Sequence, residues 1–206
     1  MQYGLYLFDF DGTLFDTRDS LLPIFRAGYA AVGRDVTPEE VEEWMHLNLN
    51  QSFALSGVDP SKFDIVVDAI VAALDMPEAL RLIKPFPEAR EVLETLVLRG
   101  KKIGIVSNNT ASHIRNVLEQ LHFDMPVSCI VGSDIFTHGK PHPEPILTAL
   151  SMLGLPADGE SCYVGDSLQD EECGRNAGID GILLDRENVH PDFVGKRIHS
   201  LTDLLA

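Results

Sequence analysis

The sequence predicts an α/β fold in three layers, a parallel sheet covered by helices on both faces. Three observations carry that prediction. Apolar runs of strand length recur along the chain, stretches of helical period separate them, and acidic, hydroxyl and amide residues gather where the runs end.

The first run, residues 3–8, ends at Asp9 and has the continuous apolar character of a strand buried on both faces. Four more follow at Lys102–Ser107, Ser128–Gly132, Ser161–Gly165 and Gly181–Asp185. Between them, Ala89, Val92, Leu93, Leu96 and Val97 line one helix face, and Gly100 stops that helix. Ile114, Val117, Leu118 and Leu121 line a second; Ile146, Leu147, Leu150 and Leu153 line a third, closed by Gly154. A fourth helix starts after Ser167 and ends near Gly178. Helices between successive strands imply parallel pairing, because only a crossover returns the chain to the same sheet edge.

Residues 17–84 break the rhythm. They show three helical patterns and no strand: Leu21 to Val32, a capping box at Thr37-Pro38-Glu39-Glu40, and a face of Phe63, Val66, Val67, Ile70, Val71 and Leu74. The expected organisation is a core of residues 1–16 and 85–206 with a helical domain, 17–84, inserted after the first strand.

The composition, 45% apolar and 23% charged over 206 residues, is that of a globular protein. No apolar run approaches the ~20 residues of a membrane helix, and no basic stretch precedes the first run, which argues against a signal peptide. Three cysteines without a CxxC read as reduced thiols in a cytoplasmic protein. A net charge of −16 argues against non-specific nucleic-acid binding, which requires a basic surface. It also means that any anion site must be made positive locally, by a metal ion, a lysine and backbone N–H groups.

Such a site is written at the strand ends. Asp9-Phe10-Asp11-Gly12-Thr13 follows the first strand, where open α/β sheets bind ligands, and in an extended chain the two carboxylates at i and i+2 share a face. Gly12 lets the chain turn and bring backbone N–H groups toward an anion. Ser107 and Asn108 end the second strand with a hydroxyl and an amide suited to phosphate oxygens. Lys140 precedes a helix between prolines, and Asp166 and Asp170 end the fourth strand. Taken singly, each reads equally as a turn, a helix cap or a solvated side chain. Together they supply a nucleophile, a second carboxylate, anion donors, a cation and two ligands for a hard metal ion.

The combination resembles the haloacid dehalogenase-like superfamily, in the branch with a helical cap, similar to phosphoglycolate phosphatases. The motifs are DFDGTLFD at 9–16, Ser107, Lys140 and GDSLQD at 165–170, and the resemblance spans the chain. It implies a Rossmann-like core with an inserted cap and hydrolysis of small phosphate monoesters. Asp9 would be the nucleophile that forms an aspartyl-phosphate, and Asp11 the general acid and then base. Gly12, Ser107, Asn108 and Lys140 would bind phosphate. Mg²⁺ would be held by Asp9, the Asp11 carbonyl and Asp166, with Asp170 on the metal or its water shell. Asp11 favours phosphate chemistry over dehalogenation, since a halide leaves without a proton.

Within the cap, Trp44, His46, Asn48, Asn50 and Gln51 form a polar-aromatic stretch after the second cap helix and are the expected specificity residues. His113, His122, His138 and His142 show no metal-ligand spacing and read as surface or loop residues. The expected partner is a small phosphorylated metabolite, with no nucleic acid or membrane, and the chain a monomer or homodimer. A sugar phosphomutase of the same fold and a regulatory module without turnover are the competing readings. The first would require a bisphosphate activator; the second would have lost Asp9, Asp11 or Lys140.

Overall fold

A computed structural model describes residues 2–45, 47 and 49–206. In chain order its elements begin with β1 (Leu5–Phe8) and β2 (Phe15–Asp16). Then come α1 (Arg18–Ala30), α2 (Pro38–Trp44), α3 (Leu49–Leu55), α4 (Phe63–Ala73) and α5 (Pro77–Leu80). The chain continues through β3 (Lys84–Pro85), α6 (Ala89–Leu98), β4 (Lys102–Val106), α7 (Ala111–Gln120) and β5 (Cys129–Val131). It ends with α8 (Glu144–Leu153), β6 (Ser161–Gly165), α9 (Leu168–Asn176), β7 (Asp180–Leu184) and β8 (Lys196–Ile198). These elements fall into two compact units, residues 1–16 with 85–206, and residues 17–84.

The first unit is built on a six-stranded parallel sheet in the order β5-β4-β1-β6-β7-β8. β1 is central because it is apolar on both faces: Leu5, Leu7, Tyr6 and Phe8 are all buried. Leu5 and Leu7 join Val106, Val131 and Tyr163 in a cluster closed by Ile146, Ala149 and Leu150 of α8 and Cys173 of α9. The apolar periodicity of the helices therefore meets strands of continuous apolar character, as a sheet covered on both faces requires. β8 was not among the expected strands. Lys196-Arg197-Ile198 buries only Ile198, so its pairing with β7 comes from position at the sheet edge rather than from an apolar pattern.

The register sets the site. Phe8 is paired with Ile105 on one side and Val164 on the other. Asp9 thus lies one residue past Phe8, Ser107 two past Ile105, and Asp166 two past Val164. All three emerge at the carboxyl ends of adjacent strands. The chain order also reverses direction between β1 and β6, the crevice in which doubly wound sheets bind ligands.

The second unit is helical. Trp44 packs with Phe25 and Tyr29, at ring-centroid distances of 5.9 and 5.4 Å, and Phe53 packs with Tyr29 and Phe63 at 6.3 and 5.1 Å. α1 and α4 approach closely at Gly28, where a Cβ would collide with the Ile70 side chain. The expected face of α4 is narrower than its apolar residues suggest. Val66, Ile70 and Ala73, spaced four and three apart, are buried, whereas Val71 is exposed. Thr37 closes the expected capping box at the start of α2. The polar-aromatic stretch after α2 lies outside the three expected helical patterns, yet Leu49–Leu55 is a helix, which buries Phe53 and Ser52.

Candidate active site

Asp9 is buried at the end of β1, its backbone N–H donating to the Val164 carbonyl at 2.9 Å. One of its oxygens, Oδ1, is paired with Nζ of Lys140 at 2.8 Å. Burial, partly offset by the Lys140 ammonium, holds the Asp9 pKa well above the usual carboxylate range.

Lys140 is the positive centre. Its side chain is 7% exposed, and Nζ lies 2.6 Å from Oδ1 of Asp170 as well as beside Asp9. Burial works against its charge, but the carboxylates of Asp170 and Asp9 outweigh that and hold its pKa above the ordinary lysine value. The Tyr163 ring lies 5.8 Å beneath the ammonium. Asn108 holds the segment in place by accepting the Lys140 backbone N–H on Oδ1 at 3.1 Å.

Asp170 has two duties. Its Oδ2 accepts from the Ser167 N–H at 3.0 Å and the Ser167 hydroxyl at 2.5 Å, the capping box that starts α9. Its Oδ1 accepts from Lys140 at 2.6 Å and from the Tyr163 hydroxyl at 3.2 Å. Asp166 faces solvent on one side yet is densely surrounded on the others. That crowding, followed by the charge of Asp170, pushes its pKa up to about 6, and the Thr13 hydroxyl donates to it at 3.3 Å.

Asp9, Asp166 and Asp170 each offer an oxygen within 4.8 Å of the others. The donor set is all carboxylate, and two members carry pKa values raised by crowding. These residues fit a hard divalent cation, which would neutralise them. The Asp11 carboxylate is not in this group; its Oδ2 accepts the Ser107 hydroxyl at 3.3 Å. Ser107 also accepts the Asn109 N–H at 3.0 Å, so its hydroxyl is placed from both sides.

Gly12 departs from expectation. Its N–H donates to the Phe15 carbonyl at 2.8 Å and is spent inside the turn rather than aimed at an anion. Its contribution is space. With φ of 76°, it occupies the left-handed region, and a Cβ there would clash with the Asp166 carboxylate.

In the helical unit Trp44 is likewise not where a specificity residue belongs: it is 2% exposed and filled in among Phe25, Tyr29 and Val41. Its indole is the largest fully buried side chain, and packing explains it. Asn50 and Gln51 are exposed on α3. His46 and Asn48 lie outside the described residues. The histidine reading needs one correction: His113 is buried on α7. His138 and His142 are exposed loop residues, as expected, and converge with Glu144 in the turn before α8.

Sequence reasoning passed over Thr13, Tyr163 and Arg186. Thr13 sits inside the DFDGT motif, which was the available signal. Arg186 donates to the Thr13 carbonyl at 3.1 Å, pairs with Glu88 and stacks 3.9 Å over Phe86, holding the turn after β1. Its partners lie far away in sequence, so no local pattern announces it.

The family model for haloacid dehalogenase-like hydrolases matches residues 6–184. The pyrophosphatase PpaX of Anoxybacillus flavithermus is 28% identical over all of this chain and 98% of its own length. The phosphoglycolate phosphatase of Xylella fastidiosa strain Temecula1 is 31% identical, over 86% of this chain and 78% of its own. A haloacid dehalogenase-like hydrolase structure from Bacteroides fragilis superimposes with a TM-score of 0.85 at 26% identity, covering 98% of this chain and all of that one. With the strand-end carboxylates and the buried lysine arranged as above, the chain belongs to the haloacid dehalogenase-like hydrolase family.

Proposed function

We propose that this protein is a magnesium-dependent phosphatase of small phosphate monoesters that works through an aspartyl-phosphate on Asp9. The observation that carries the reading is the buried Asp9 carboxylate paired with the buried Lys140 ammonium at 2.8 Å. A carboxylate with a free lone pair is a nucleophile for a phosphoryl group, and the adjacent ammonium offsets the repulsion between two anions.

Asp9 attacks phosphorus, the ester P–O bond breaks, and Asp11 gives its proton to the departing alkoxide oxygen. Asp11, then a carboxylate, takes a proton from water as that water attacks the aspartyl-phosphate. The bond from phosphorus to the Asp9 oxygen breaks, and inorganic phosphate is left with Asp9 restored. Lys140, Ser107 and the Asn108 amide bind the phosphoryl oxygens. Asp9, the Asp11 carbonyl and Asp166 would hold Mg²⁺, with Asp170 at the ion or its water shell. When bound, the ion supplies charge neutralisation for the phosphoryl group and the carboxylates. We assign substrate selection to the helical unit, with His46, Asn48, Asn50 and Gln51 as the residues to vary.

The test is phosphate release from a panel that includes phosphoglycolate, a sugar phosphate, a nucleotide, pyrophosphate and a phosphopeptide. It is run with Mg²⁺, with Ca²⁺ and with chelator. A small monoester should be turned over best, with Mg²⁺ only, because Ca²⁺ takes more oxygens at longer distance and spoils in-line geometry. Full activity in chelator, or equal rates with both ions, overturns the metal assignment; a best rate on the phosphopeptide overturns the substrate class.

A further inference from the structure

Lys140 is presented by the segment His138-Gly139-Lys140-Pro141-His142-Pro143-Glu144, and the ends of that segment meet. Nδ1 of His138 lies 2.8 Å and Nδ1 of His142 3.9 Å from Oε2 of Glu144, and the two imidazoles are 4.7 Å apart between ring centroids. The three side chains can each offer one ligand atom within 4.8 Å of the other two. We propose that His138, His142 and Glu144 form a second metal site, distinct in chemistry from the carboxylate site, for a borderline divalent cation such as Zn²⁺.

The donor set makes that choice. Two imidazoles and a carboxylate suit Zn²⁺, Ni²⁺ or Cu²⁺, whereas Mg²⁺ prefers oxygen ligands and keeps its water. With metal–ligand bonds of about 2.0–2.2 Å, tetrahedral ligands stand about 3.3 Å apart. On the two edges between carboxylate and imidazole, the observed 2.8 and 3.9 Å bracket that separation.

The carboxylate is already oriented. The Thr137 N–H donates to Oε1 at 2.8 Å and the His138 N–H to Oε2 at 3.0 Å, the kind of outer support that fixes a ligand before the ion arrives. Binding exchanges two existing interactions for metal bonds, the contact between His138 Nδ1 and Glu144 Oε2 at 2.8 Å and the Glu144 N–H donated to His142 Nδ1 at 3.2 Å. The side chains of His138 and His142 are 63% and 51% exposed, so an ion and its remaining water ligand have access.

An ion here would tie together the two ends of the segment that carries Lys140. Its ammonium is held to Asp9 and Asp170 within 2.8 Å, and small displacements of such groups are costly to catalysis. Occupancy therefore acts as a brake on turnover.

The direct test is calorimetric titration of the whole protein with Zn²⁺ in a large excess of Mg²⁺, which keeps the carboxylate site filled. Wild type should bind one Zn²⁺, and the double variant His138→Ala, His142→Ala, altered only at exposed positions, should bind it at least about tenfold more weakly. Equal binding by the two proteins overturns the site. This measurement does not depend on the phosphatase reading; the companion one does. Phosphate release under the same Mg²⁺ excess should fall with Zn²⁺ in wild type and be insensitive to it in the double variant. A wild-type rate that Zn²⁺ leaves unchanged, or equal slowing in both proteins, overturns the coupling to Lys140.

Discussion

The two units bury different things. Among the described residues, every buried carboxylate belongs to the sheet unit: Asp9, Asp170 and Asp185. The helical unit buries hydroxyls, and three of them close on their own backbone. Ser20, Ser52 and Ser56 donate to the carbonyls of Thr17, Leu49 and Phe53, three residues earlier in each case. The sheet unit thus organises charge against its desolvation, with Lys140, Tyr163 and capping N–H groups assembled from a loop, a strand and a helix start. The helical unit holds a shape with apolar contacts and leaves its polar residues to the surface. Charge needs partners from several elements, whereas an aromatic cluster needs only volume.

The sharpest way to break this contrast is Asp9→Asn. If the sheet unit's buried charge serves chemistry, the folded variant loses more than about 10³-fold in turnover while its thermal unfolding stays cooperative. Substantial phosphate release by that variant would remove Asp9 from its role. The matching test of the helical unit is Trp44→Ala, which should cost about 3–5 kcal/mol in denaturant unfolding and leave the metal affinity of the sheet unit unchanged. A loss below about 1 kcal/mol would mean that Trp44 does not fill the helical core.

A smaller effect sharpens the electrostatic half. Asp166 has its pKa raised to about 6, so in the metal-free protein its protonated form is favoured by folding. That contribution to stability is complete below the unfolded value of 3.8 and is lost as pH rises through about 6; buried Asp9, also raised, acts in the same sense. A divalent cation needs the carboxylates ionised. Its affinity should be about tenfold weaker at pH 5 than at pH 7.5, and its stabilisation of the fold correspondingly smaller. Isothermal titration at the two pH values reads this directly, and an affinity independent of pH contradicts it. Smallest of all is Asn50→Ala on exposed α3. It should shift stability by less than about 0.5 kcal/mol, while the ratio of kcat/KM between two small substrates changes. An unchanged ratio across the substrate panel would drop Asn50 from substrate selection.

Much was determined by sequence alone, and for a physical reason. Parallel strands buried on both faces read as apolar runs. Strand ends are where polar residues first become affordable, so Asp9, Ser107 and Asp166 could be read in place. Helix starts at Thr37 and Ser167 were legible because a cap is a local bond. Where burial is partial or contacts are distant, the chain was silent: β8 shows one buried residue, and Leu49–Leu55 folds as a helix through Phe53, from a stretch outside the three helical patterns.

Tertiary structure decided how the site residues are used. Only the packed chain commits the Gly12 N–H to a turn, splits Asp170 between Lys140 and a helix cap, and brings Arg186 to the Thr13 carbonyl. It also turns two histidines that show no ligand spacing along the chain into neighbours around Glu144. Residue type sets which chemistry is available, whereas the partner that satisfies each polar atom is a property of three-dimensional proximity, and burial makes that choice energetically binding.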